Sequence, residues 1–386
     1  MAVTMLAAVV PVAVLALTWG SDPRGLVLGV VGVTLVLAIL MGVHHAEVIA
    51  HRVGDPFGAV ILALAVTVLE AGLIIMLMVD ATGPSTLARD TLFSAVMIVA
   101  NLMVGVSLVI ASMRHHIGRF RRGGTGGMLA TLMTLTTLTL VLPSFTSSEP
   151  GPIYSGSQLA FASIAALALW GVFVFTQTVR HRDAFLPVKV DTDGDGVPDT
   201  ELDAVDAASL GANAGEPPAR PYDPDSMVGD EYPDDRMAFG WHLLLLVLAL
   251  VSVVGLAKVS SGAIEDAVGG LDNGQALVGI IVAAVVLLPE GLSAAVAAWR
   301  NHLQTSLNLA LGSGIASIGL TIPTVAVAST FTDVTLVLGL SAQHLVLLFL
   351  TFLLSTVTLA SGRGSPLQGA IHLVVFASFV FLTIFP

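Results

Sequence analysis

The sequence predicts an all-α polytopic membrane protein of about eleven transmembrane helices: one leading helix, then two inverted five-helix repeats. Three observations predict it. The 386 residues are 55% hydrophobic and only 11% charged, with a mean hydropathy of +0.92, whereas a soluble domain carries about 25% charged residues. Apolar runs of about 20 residues, long enough to cross a bilayer, recur along the whole chain. A lone glutamate stands at a similar depth in two of those runs, one in each half. This composition excludes an ordinary soluble enzyme, a nucleic-acid binder and a disordered protein. The chain has no cysteine, so disulfides, thiolate zinc sites and cysteine nucleophiles are excluded as well.

The runs fall at 3–19, 25–43, 57–79, 91–113, 128–142, 157–178, 239–259, 275–298, 305–329, 342–360 and 367–385. The first lacks a basic segment ahead of its apolar stretch, so it reads as a retained span rather than a signal peptide. The third carries Glu70. The fifth is short and rich in threonine. The eighth carries Pro289 directly before Glu290, and a proline there is expected to break or kink the helix beside the carboxylate. In the ninth, Gly312, Gly314 and Gly319 permit close helix approach, and Pro323 frees a backbone carbonyl in the preceding turn. Residues 330–341 are apolar enough to lengthen either the ninth or the tenth span. Four units result: a leading helix at 1–19, a first half at 25–178, an acidic segment at 179–238 and a second half at 239–386.

Charge gives the direction. Residues 183–235 hold fifteen Asp/Glu against Lys189 and Arg220, and the rest of the chain is close to neutral. Loops after even-numbered spans carry twelve of the fifteen Lys/Arg, and loops after odd-numbered spans carry only Arg24, Arg89 and Lys258. By the positive-inside rule the even loops, the N-terminus and the acidic segment are cytoplasmic, and the C-terminus is external.

The two glutamates define the candidate chemistry. The segment PFGAVILALAVTVLEAGL ends just beyond Glu70, and ALVGIIVAAVVLLPEGL just beyond Glu290. Their spans lie five apart and so cross the bilayer in opposite directions, the pattern of an inverted-topology repeat. A carboxylate near the bilayer midplane costs about 2.5–3.5 kcal/mol on insertion scales. No Lys or Arg lies deep in any of the spans to pair with either one. Two carboxylates suit one hard divalent cation, or each takes up a proton instead, so cation and protons compete for the same oxygens. Further oxygen donors follow each glutamate: Ser94 and Asn101 in the fourth span, and Asn308, Ser313, Ser317 and Thr321 in the ninth.

At the end of the second span His44, His45, Glu47 and His51 cluster, with His44, Glu47 and His51 at helical spacing. They read either as a cytoplasmic entrance for protons or cations or as a solvated helix end. The spacing His-x-Glu-x3-His is not that of a zinc hydrolase. In the acidic segment, DTDGDGVPDTELD places Asp191, Asp193, Asp195 and Asp199 at calcium-loop spacing, with Leu202 where an EF-hand has its bidentate glutamate. The alternatives there are a bound Ca2+ on the loop and an acidic solubilising linker. His115 and His116 stand in the basic stretch HHIGRFRRGG, which suits lipid headgroups.

HHAEVIAHRVGDPFGAVILALAVTVLE and LLPEGLSAAVAAWRNHLQTSLNLALGSGIASIGLTIP resemble the bacterial calcium/proton antiporters of the ChaA type, in the cation/calcium exchanger superfamily. The resemblance covers nearly the whole chain. It implies a multi-pass bacterial inner-membrane antiporter, with the family's two ion-site glutamates at Glu70 and Glu290. It implies further that Gly312-Ser313 is the family's Gly-Ser motif, with Asn101-Leu102 its counterpart, and that Glu47 is the acidic residue near the cytoplasmic entrance. The family's Gly-Asn-Ala-x-Glu context is absent, being Val66-Thr67-Val68-Leu69-Glu70 and Leu287-Leu288-Pro289-Glu290 here. The expected function is therefore export of Ca2+ in exchange for protons, by alternating access and without a prosthetic group. The partners are small inorganic cations and membrane lipids. The alternative is a Na+ or K+/proton antiporter. A passive channel and an intramembrane hydrolase rank lower, the latter because no histidine is expected deep beside a serine.

Overall fold

The structure, a computed structural model, describes residues 2–54, 57–79, 84–115, 118–180, 182–185, 238–268, 273–332 and 334–386. It is helical nearly throughout. The first half comprises α1 (Ala2–Thr18), α2 (Leu26–Val53), α3 (Phe57–Val79), α4 (Leu87–Met97), α5 (Val104–His115), α6 (Arg122–Thr136) and α7 (Gly156–Phe175). A π-helical turn, Ile98–Met103, joins α4 to α5 into one span. Two further π turns, Thr137–Val141 and Thr176–Arg180, extend α6 and α7. The second half comprises α8 (Phe239–Val268), α9 (Gly274–Val286), α10 (Leu288–Trp299), α11 (Leu303–Ser329), α12 (Ala342–Ala360) and α13 (Pro366–Ile384).

Among the described residues, nine helices are long and apolar enough to cross a membrane, and the pair α9–α10 makes a tenth. These ten match the second to eleventh runs read from the sequence. The leading segment is the 17-residue helix α1, shorter than the other spans, so the count of eleven is not established. Residues 330–341 lengthen neither neighbour. Helix α11 ends at Ser329 and α12 starts at Ala342, capped by the Ser341 hydroxyl. The stretch between them folds back, and Leu336 forms a parallel bridge with Ser85.

Loop contacts sort the spans by direction. Ser85 and Thr86 follow α3. Ser85 bridges Leu336 after α11, Thr86 N–H donates to Gln275 Oε1 at the start of α9 (2.9 Å), and Gly339 N–H donates to Pro152 O before α7 (3.0 Å). The loops after the third, fifth, seventh and ninth spans therefore meet on one face. On the other face, Gly118–Arg119 after α5 pairs antiparallel with Arg363–Gly364 after α12. There, Arg121 N–H donates to Gln304 Oε1 (2.6 Å) and Asn308 Nδ2 to Phe185 O (2.6 Å). Since α3 ends on the face where α9 begins, the two glutamate-bearing spans run antiparallel.

The two most buried spans are α4–α5 and α11, the fourth and ninth, and they form the centre of the core cluster around Leu92, Val99, Leu307 and Ile318. Small residues allow the closest crossings. A Cβ at Gly279 of α9 would stand 2.8 Å from the Asp90 carbonyl carbon. Gly105 of α5 and Gly369 of α13 face each other's carbonyls, at 3.0 and 2.7 Å from where a Cβ would sit.

Candidate cation site

Glu70 lies in the body of α3, which is unbroken, and its side chain is 3% exposed. Both carboxylate oxygens accept hydrogen bonds from the opposite half. Ser317 Oγ donates to Oε1 at 2.5 Å and Thr321 Oγ1 to Oε2 at 3.1 Å. Ser317 and Thr321 are four residues apart on α11, so one face of that helix presents both hydroxyls to α3.

Glu290 sits differently. The eighth span bends by 54° between α9 and α10. Pro289 stands at the start of α10, where its missing N–H is harmless, but it can neither donate to the preceding turn nor continue α9. Glu290 is therefore in the first turn of a new helix, at the end where backbone N–H groups point outward and negative charge is favoured by about 0.3–1 kcal/mol. Its own backbone N–H reaches the carboxylate, and Glu47 and Glu70 both lie within electrostatic reach. Oε2 has no hydrogen-bond partner among the described residues. Carboxylates of α2 and α3 thus act electrostatically on that of α10, although no set of three His, Asp or Glu among the described residues forms a ready metal cage.

The other residues expected at the site are placed as follows. Ser313 is half-buried, one turn before Ser317 on α11. Ser94 is buried but its hydroxyl donates back to Asp90 O (2.6 Å), so it is occupied within its own helix. Asn101 is buried in the π turn and its amide bonds Thr351 (2.9 Å) and His372 (3.1 Å), not a glutamate. Asn308 is tied to Gln304 and Phe185 at the loop face. His44, Glu47 and His51 do lie on one helix, with His44 and Glu47 half-buried and His51 exposed. The reading of a solvated helix end fails for their neighbour His45. It is fully buried, with Nδ1 3.1 Å from Nδ1 of His242 on α8. Asp191, Asp193, Asp195 and Asp199 lie outside the described residues.

Sequence reasoning noted Thr321 as polar without assigning it to Glu70, although the four-residue step from Ser317 held the signal. It missed Asp90, which is 3% exposed and bonded to Arg89 Nε (2.8 Å) and Thr86 Oγ1 (2.6 Å). It expected no histidine deep beside a serine; His372 of α13 is fully buried. Its partners are Asn101 and Thr358, so no serine nucleophile is formed.

A bundle whose antiparallel spans each carry a glutamate, one of them at a helix break, has the architecture of a secondary transporter. The family model described as "Sodium/calcium exchanger protein" matches residues 24–179 and 241–385, and the chain belongs to that family. It is a membrane-embedded cation exchanger, not an enzyme. It is 43% identical over 350 residues to the "Putative ionic transporter y4hA" of Sinorhizobium fredii, covering 90% of this chain and 86% of that one. To the "Sodium-potassium/proton antiporter ChaA" of Escherichia coli it is 30% identical over 371 residues, covering 95% and 92%. Its fold matches the solved structure of native YfkE with a TM-score of 0.65 at 14% identity, covering 99% and 98% of the two chains.

Proposed function

We propose that the protein is a cation/proton antiporter of the bacterial inner membrane that expels Ca2+ from the cytoplasm as protons enter, with Glu70 and Glu290 as the alternating cation and proton acceptors. The observation that carries this reading is that Glu47 and Glu70 of the first half lie within electrostatic reach of Glu290 of the second, which stands at a helix break. Two carboxylates balance one divalent charge, and hydroxyls and freed carbonyls are oxygen ligands suited to a hard cation. Ser317 and Thr321 hold Glu70 in place, while Glu290 Oε2 is open to a proton or a cation. When the cation leaves, protons replace it on the same oxygens, so the charged site never crosses the membrane empty. Rocking of the two halves about the fixed site gives each face access in turn. Glu47 attracts cations at the cytoplasmic mouth, and the DxDGDGxxD loop binds Ca2+ there. The N-terminus is cytoplasmic and the C-terminus external.

A second reading, exchange of Na+ or K+ for protons, is favoured by the name of the Escherichia coli relative. It is also favoured by the hydroxyls already occupying both oxygens of Glu70, which leave one open carboxylate for one monovalent charge. Inside-out vesicles with an acidified lumen separate the two. Ca2+ at micromolar levels collapsing the proton gradient supports calcium exchange, and collapse by Na+ or K+ alone supports the second reading. No collapse with any of the three removes both.

A further inference from the structure

His372 is the centre of a polar cluster that the antiport reading does not use. Its ring is fully buried. Nδ1 stands 3.1 Å from Asn101 Oδ1, Nε2 stands 3.1 Å from Thr358 Oγ1 on α12, and the backbone of Ala100 adjoins the ring. Ala100 and Asn101 belong to the π turn Ile98–Met103. Carbonyl oxygens only accept, so Nδ1 carries the ring proton, and Nε2 accepts from the Thr358 hydroxyl. The Asn101 amide then donates to Thr351 Oγ1 (2.9 Å). Every group in the cluster has a partner, and the ring has no lone pair left to take a proton without breaking one of these bonds.

The position of the cluster gives it a use. A π turn holds one residue more than an α turn, which leaves backbone groups out of register, and such groups in a membrane must be satisfied by a neighbouring helix. His372 reaches this turn from such a neighbouring helix, at Asn101 and beside Ala100. The neighbouring crossing of Gly105 on Gly369 holds α13 close enough for the ring to reach. On its other side the same segment borders the broken span, with Met103 Cγ 3.9 Å from where a Cβ of Gly291 would be. Gly291 adjoins Glu290. If the π turn relaxed to α, the residues after it would turn by about 100° relative to those before it, which changes what faces Glu290.

We propose that His372 is a positioning residue of the cation site: it locks the π turn of the fourth span and the Asn101 amide in one register beside Glu290, and so sets how tightly that site holds its cation. This rests on the reading of Glu290 as a cation ligand. It makes Asn101 an element of the site through its register, not through contact with a glutamate.

The test is the stabilisation of the purified full-length protein against heat by Ca2+, Na+ and K+, each titrated alone to give an apparent affinity. His372→Leu removes the ring donor and is expected to weaken cation affinity by about tenfold. His372→Asn, whose amide N–H can occupy the place of Nδ1–H, is expected to recover most of that loss. A merely space-filling role would favour Leu over Asn instead. The combination of His372→Leu with Asn101→Ala is expected to be no weaker than the poorer single variant, since both act through one register. Should His372→Leu fail to fold, Thr358→Val, which removes only the bond to Nε2, is expected to show the same loss in milder form. Wild-type binding with unchanged affinity in these variants, or losses that multiply in the double variant, overturns the positioning role alone. A wild-type protein stabilised by none of the three cations overturns the cation-site reading, and the positioning role with it.

Discussion

Ser317 Oγ donates to Glu70 Oε1 at 2.5 Å across 247 residues of sequence, joining the ninth span to the third and one half of the molecule to the other. A hydrogen bond to a charged group contributes about 1.5–3 kcal/mol. Ser317→Ala is therefore expected to lower cation affinity by at least about tenfold, and Thr321→Ala, whose bond is longer, by less. Affinities from initial transport rates over a range of cation concentrations check both.

Pro289 separates stability from activity. Pro289→Ala restores a backbone donor and removes the ring that keeps α9 from running on into α10. The variant is expected to melt no lower than wild type yet to transport far more slowly, because Glu290 leaves the first turn of α10. Melting temperature and exchange rate, measured on the same preparation, test this.

The crossing of α9 over α4 leaves no room for a side chain. Gly279→Val would press its Cβ to 2.8 Å from the Asp90 carbonyl carbon, against backbone that cannot yield. It is expected to abolish accumulation of folded protein, seen as loss of the monodisperse peak in detergent. Gly312→Ala, whose nearest contact is 3.5 Å from a flexible methionine, is expected to fold normally.

The face joining the odd-numbered loops is held by Thr86, Asp90 and Gln275. Thr86 Oγ1 lies 2.6 Å from Asp90 Oδ2 and 2.7 Å from Gln275 Oε1. Thr86→Val leaves a buried carboxylate short of a donor, a loss of about 1–3 kcal/mol. The expected result is a lower melting temperature with cation affinity unchanged, since none of these groups touches Glu70 or Glu290 in the described hydrogen bonds.

Much of this was legible in the sequence because a bilayer simplifies the problem. Runs of about 20 apolar residues read as spans; all eleven segments read this way are helical, and ten are long and apolar enough to cross a membrane. Glu70 and Glu290 stood out because a charge in such a run demands a reason, and Pro289 because its effect on a helix is local. What the sequence did not show were partners set by crossings between distant spans. Nothing near Asn101 in sequence indicates His372, 271 residues away, and nothing near His45 indicates His242. The π turn beneath Asn101 has no compositional mark, as its register is held by α13. The segment 330–341 was ambiguous for a related reason. Leu336, Leu338 and Leu340 are buried within the protein, with Leu336 bridged to Ser85.

The central claim is that Glu70 and Glu290 form one site. Equilibrium binding of Ca2+, Na+ and K+ to the purified protein tests it most directly, compared among wild type, Glu70→Gln, Glu290→Gln and the double variant. The account expects each single change to remove binding as completely as both together. Retention of wild-type affinity in either single variant would contradict it.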